Sequence, residues 1–174
     1  MIGYTCKYTP VELLSAFGGE PVLLNREAAD FTRAEELTHN HFCCHAKAVL
    51  EECGREGVRE LVLVNCCDSI RRCYDVLRDR GELDFLFLLD LPHHDDGCAR
   101  ARLAAELKRL AAEYGAYRGA KFDAAAFRAA FTPRSPLPAD GRGGAAGGAA
   151  GPPQPEGAGV PHRQVLRLLR LRVR

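Results

Sequence analysis

Residues 60–77, ELVLVNCCDSIRRCYDVL, constrain this chain more than any other stretch. Leu61-Val62-Leu63-Val64 is a short, continuously apolar run rich in β-formers, the pattern of a strand covered on both faces. Asp68 and Ser69 are good N-cap residues, and Ile70, Cys73, Tyr74 and Leu77 then recur at helical spacing. The stretch predicts a buried strand, a sharp exit carrying Cys66 and Cys67, and an amphipathic helix. Two thiols thus stand where a strand ends and a helix begins, the edge at which open α/β sheets place their ligands.

The rest of the chain repeats that unit. Met1 to Tyr4 reads as a short strand. Thr9-Pro10-Val11-Glu12 predicts a capping box, with Thr9 as N-cap, Pro10 at the first helical position and Glu12 reaching back. The helix carries Val11, Leu14 and Ala16-Phe17 and stops at Gly18-Gly19. Pro21 to Leu24 is a second strand, and residues 25–37 read as a polar, charged connection. Asn40 is placed to cap a helix whose apolar face is Ala46, Val49, Leu50 and Cys53, with Gly54 and Gly57 closing it. Phe85 to Leu89 is a very apolar strand leading into Asp90-Leu91-Pro92-His93-His94-Asp95-Asp96-Gly97-Cys98. Leu103, Leu107, Leu110 and Tyr114 mark one face of a long helix expected to end near Gly115, and residues 123–131 form a last short helix. This alternation predicts a doubly wound parallel α/β sheet, flavodoxin-like or Rossmann-like, with right-handed crossovers.

At 174 residues there is room for one well-cored domain. The formal net charge of +1 is unevenly spread. From Pro133 onward seven arginines face two acidic residues, a net +5, which leaves −4 for residues 1–132. The first part therefore lacks the basic footprint of a nucleic-acid binder. Residues 133–174 are dominated by Gly, Ala and Pro without apolar periodicity, so they are expected to be a disordered tail. Their last stretch alternates Arg with Leu and Val, which also reads as a basic amphipathic segment. The composition resembles a GC-rich gene read out of frame. Met1 runs straight into an apolar strand without a basic leader, and no apolar run approaches a membrane span, so a cytoplasmic protein without membrane contact is expected. No dinucleotide, phosphate-loop or serine-hydrolase motif occurs.

All eight cysteines precede Ala99. Without a secretion signal, metal or redox chemistry in a reducing, anaerobic setting is expected rather than a disulfide framework. Cys53 and Cys73 fall on apolar helix faces and read as core. Cys6, Cys43-Cys44, Cys66-Cys67 and Cys98 instead lie just before or within the first turn of a helix, where free N–H groups and the positive dipole end lower thiol pKa. Thiolates there suit an iron–sulfur cluster. The spacing matches no standard local motif, so a zinc site and merely tolerated thiols stay open beside it. His39, His41, His45, His93 and His94 lie near the same edge and read as ordinary loop histidines. Lys7, Lys47, Arg71 and Arg72 could meet a phosphate, though a solvated basic residue is the simpler reading of each.

Several ordered segments resemble one family. Residues 9–18, TPVELLSAFG, look like the opening helix of the 2-hydroxyacyl-CoA dehydratase D-component family, which includes 2-hydroxyglutaryl-CoA dehydratase subunits, benzoyl-CoA reductase subunits and double-cubane cluster proteins. Phe42-Cys43-Cys44-His45-Ala46-Lys47 resembles its first cluster-ligand segment. Val64-Asn65-Cys66-Cys67-Asp68-Ser69 resembles the second, in which the ligand cysteine directly precedes Asp. Residues 87–93 resemble the following strand and its Pro-His exit.

The resemblance implies a [4Fe–4S] or double-cubane cluster ligated by Cys43 and Cys67, with Cys6 or Cys98 as a possible third ligand. It implies an acyl-CoA substrate, a homologous dehydratase subunit and an ATP-dependent iron–sulfur activator that injects one electron. In the dehydratases that electron reaches the thioester carbonyl of a 2-hydroxyacyl-CoA; the ketyl radical expels hydroxide, and an enoyl-CoA results. A double-cubane-type ATP-dependent reductase of small molecules and a non-enzymatic metal-binding or inactive truncated product are the alternatives. Family subunits are much longer and supply a third cysteine from a later domain, so an incomplete subunit is expected, with an iron–sulfur domain over residues 1–132 and the tail beyond.

Overall fold

A computed structural model describes residues 1–24, 30–38, 42–55 and 57–130. The tail reading, the histidines at 39 and 41 and the Asn40 cap lie outside the described residues. In chain order the elements are β1 (Ile2–Tyr4), α1 (Val11–Ser15), β2 (Pro21–Leu23), α2 (Thr32–Leu37), α3 (Cys44–Arg55), β3 (Glu60–Val64), α4 (Asp68–Arg80), β4 (Phe85–Leu89), α5 (Gly97–Arg118) and α6 (Ala124–Ala130).

The four strands form one sheet in the order β2-β1-β3-β4, with every pairing parallel. This is the predicted doubly wound α/β arrangement, flavodoxin-like in its strand order. The chain winds outward from β1 to β2 and then reverses to β3 and β4. The topological switch point therefore falls between β1 and β3, where a crevice opens at the carboxyl ends.

Each face has its own core. Leu61 and Leu63 of β3 pack with Ala46, Val49, Leu50 and Cys53 of α3 and with Ile70, Cys73 and Leu77 of α4. Val62 and Val64 turn the other way, joining Phe85, Phe87 and Leu89 of β4 with Leu13 and Leu14 of α1 and Leu110 and Tyr114 of α5. All five residues of β3 are buried because helices cover it on both sides. The exposed alternation of a half-covered strand is absent there for that reason.

Several helix boundaries depart from the local sequence signals. The capping box at Thr9 does not form. Pro10 takes the N-cap position of α1 with no side-chain cap, which leaves Thr9 one residue outside the helix, its Oγ1 buried and unpaired. Residues 32–37 are helical rather than connecting, since Ala34 is fully buried and its N–H donates to Glu51 of α3 at 2.8 Å. Helix α3 continues through Gly54 to Arg55. Helix α5 passes Gly115 and ends at Gly119, whose φ of +59° supplies the left-handed C-cap. Asp123 starts α6, accepting from the N–H groups of Ala125 and Ala126 at 2.7 and 3.2 Å.

At the amino end of the sheet, the buried Glu60 carboxylate accepts from Tyr114 at 2.9 Å, Tyr117 at 3.3 Å and Arg118 at 3.1 Å. Arg118 also donates to the Gly18 carbonyl at 3.0 Å, tying the ends of α1 and α5 to β3. Chemistry-bearing thiols sit at the other end. No helix among the described residues is long and apolar enough to cross a membrane.

Candidate functional site

Strand β3 ends at Val64 and the backbone turns at once. The Cys66 N–H donates to the Val64 carbonyl at 2.7 Å, closing a three-residue turn around Asn65. Cys67 is fully extended (φ −160°, ψ 167°) and is the N-cap of α4, its carbonyl accepting from Arg71 N–H at 3.2 Å. The sequence pointed to Asp68 and Ser69 for that position; the helix begins at Asp68 instead, and no side-chain cap bonds its first turn. Sulfur is a weak acceptor, so these N–H groups and the dipole end stay available to an anion.

Cys43 holds the matching place on α3, since its carbonyl accepts from the Lys47 N–H at 3.1 Å. The two thiol-bearing corners adjoin: the Cys43 N–H lies 3.5 Å from the Ser69 hydroxyl in the first turn of α4. Both Cys43 and Cys67 are exposed, as are their neighbours Cys44 and Cys66. Helices α3 and α4 pack side by side over the same core, which fixes the two corners next to each other.

Cys6 is half-buried just beyond β1, the strand paired with β3. Its charge is felt at Cys66, whose pKa is pushed from 9.0 to about 11, first by desolvation, then by the Cys67 charge and hydrogen bond, then by Cys6. Cys66 thus departs from the expectation that this edge lowers thiol pKa; it stands one residue outside the N-cap and crowded by other thiols. Cys98 is exposed on the first turn of α5, beyond β4 at the sheet margin. Cys53 and Cys73 are buried as predicted, and burial pushes each thiol up to about 12.

The basic residues near the edge are engaged. Lys47 meets Glu35 at 3.2 Å and the Phe31 ring, Arg72 meets Asp68 at 3.8 Å, and Arg71 donates to the Asn65 amide oxygen. His45, His93 and His94 are exposed. The thiol chemistry suits an iron–sulfur cluster, but among the described residues no group of three or more His, Cys, Asp or Glu is arranged to hold a metal ion. The donor type fits a cluster; the donor count fits only part of its shell.

Sequence reasoning missed the polar brace behind the thiols. Asn65 donates through Nδ2 to Asp90 at 2.9 Å and accepts from Arg71, while Asp90 is also bound by Arg102 of α5. The visible signal was a lone amide directly after the apolar run Leu61 to Val64.

No curated protein matches this chain. The family model described as 2-hydroxyglutaryl-CoA dehydratase, D-component, matches residues 6–134, a span that takes in every thiol corner and both cores' helices. On that match the chain belongs to the 2-hydroxyglutaryl-CoA dehydratase D-component family.

Proposed function

We propose that this chain is a subunit of 2-hydroxyacyl-CoA dehydratase type whose domain over residues 1–132 presents the Cys43 and Cys67 thiolates to one iron–sulfur cluster. The observation that carries the reading is the equivalence of these two residues. Each is the N-cap of a helix, on adjoining helices, with the two corners in contact. A thiolate at each cap places its negative charge at two positive dipole ends, and the N–H groups of α4, which no side chain caps, stand ready for cluster sulfur.

When bound, such a cluster supplies the low-potential electron by which a thioester carbonyl is reduced and a 2-hydroxyl is lost. This chain's part is to hold two ligands rigidly at the switch-point edge. The remaining ligands, a homologous subunit, an ATP-dependent activator and the acyl-CoA complete the reading, which rests for them on family membership.

The test is iron and acid-labile sulfide per chain after anaerobic reconstitution of the full-length protein. Wild type should take up both in fixed ratio, and Cys43→Ala or Cys67→Ala should each fall to background. Cys53→Ala should keep its iron, because that thiol belongs to the core. Unchanged iron and sulfide in Cys67→Ala would overturn the ligand assignment.

A further inference from the structure

Asn65 is the first residue beyond β3 and the pivot of the turn that carries both thiols. Its backbone N–H donates to Leu89 at 2.8 Å, extending the β3–β4 ladder by one rung. The chain then folds back through the Cys66 N–H to Val64 carbonyl bond. The side-chain amide is used at both ends: Nδ2 donates to Asp90 Oδ1 at 2.9 Å, and Oδ1 accepts from Arg71 Nε and Nη2 at 3.3 and 3.1 Å. Arg71 closes the first turn of the helix that Cys67 caps, while Asp90 begins the exit from β4 and is held in turn by Arg102 and by its own N–H to Glu106 at 3.3 Å.

We infer that Asn65 is a positioning residue: its amide spans the turn and sets the direction in which Cys67 presents its sulfur. The role follows from polarity. The site offers an acceptor on one side and a cation on the other, so the bridging group needs a donor and an acceptor in one planar unit, which an amide has and a carboxylate lacks. Both bonds are to charged partners, the stronger class of hydrogen bond. An aliphatic residue there would release the turn from both neighbours at once, whereas a carboxylate would keep Arg71 and repel Asp90.

This inference rests on the assignment of Cys67 as a ligand only for its consequence, not for its geometry, so the two can fail separately. The measurement is the alkylation rate of Cys67 in the metal-free, full-length chain, read by peptide mass spectrometry at one fixed pH. Cys98, on a different helix, is the internal control. Asn65→Asp should change the Cys67 rate roughly tenfold, the scale of one lost charge-assisted hydrogen bond, and leave the Cys98 rate alone. The swap N65D/D90N reverses donor and acceptor across the same gap: the carboxylate now at position 65 accepts both from Arg71 and from the amide now at position 90. It should return the Cys67 rate toward wild type and, after reconstitution, restore the visible absorption that N65D alters. In D90N the amide oxygen still accepts from Arg102, and the exposed ion pair that is given up contributes little by itself.

An unchanged Cys67 rate in N65D would overturn the positioning role, and so would a Cys98 rate that moves in parallel or a swap that fails to rescue. Loss of the ligand assignment would read differently, as iron and sulfide retained by Cys67→Ala while N65D still alters the alkylation rate.

Discussion

Cys53 and Cys73 differ from the other six cysteines through burial alone. Both thiols have pKa values raised from 9.0 to about 12, chiefly because a thiolate cannot be solvated between α3, α4 and the sheet. A folded-state pKa above the unfolded value stabilises the fold fully below the unfolded pKa, and that contribution is lost as pH rises from 9.0 towards 12. Unfolding free energies from urea titrations taken from about pH 8 to about pH 11 should therefore fall, by up to about 1.4 kcal/mol per pH unit for each thiol. Cys73→Ala should flatten the slope while costing about 1–2 kcal/mol of packing at neutral pH. A slope unaffected by that substitution would assign the alkaline loss to other groups. In the native protein both cysteines should also resist alkylation at the pH where Cys67 and Cys98 react.

Helix α5 shows how packing overrides local propensity. Gly115 looked like a stop, yet three further residues are helical before Gly119 supplies the left-handed cap. The glycine is there for Phe17 of the α1 corner: a Cβ at 115 would stand 2.9 Å from that ring. Gly115→Ala should thus destabilise by about 1–2 kcal/mol through overpacking, against the roughly 1 kcal/mol that Ala gains as a helix former. Thermal melting reads the sign directly; a higher midpoint would show that the ring yields. One residue earlier, Tyr114 donates to the buried Glu60, so Tyr114→Phe should cost about 1–3 kcal/mol by depriving that carboxylate of a donor.

Across the whole molecule, polar work is divided between the two ends of the sheet. The amino end is closed by Glu60, Tyr114, Tyr117 and Arg118, a brace with no exposed thiol. The carboxyl end carries the Asn65–Asp90–Arg71 brace and the exposed cysteines. Among the described residues, every member of both cores falls at or before Phe127. A chain shortened to residues 1–132 should accordingly keep one cooperative unfolding transition, checked by calorimetry; loss of cooperativity would show that residues 133–174 contribute to the fold.

Strands β3 and β4 and the faces of α3, α4 and α5 were legible because their apolar spacing is local, and burial on two sides leaves an unmistakable run such as Leu61 to Val64. The Cys66-Cys67 corner was legible for the same reason: a cysteine pair between a strand pattern and a helix pattern has one place to go. Helix α2 was not, because Thr32 to Leu37 is polar by composition and is held by Ala34 against α3, a contact 17 residues away in sequence. Nor was the cap of α4, where Asp68 and Ser69 are the better local candidates and the turn around Asn65 moves the boundary to Cys67. Local pattern was enough to specify the sheet, its layers and the edge that bears the thiols. That the Cys43 and Cys67 corners adjoin through Ser69, and that one amide ties the exits of β3 and β4 to α4, came from contacts distant in sequence. Periodicity reports which face a residue takes, whereas a cap and a brace depend on partners that the fold brings from elsewhere in the chain.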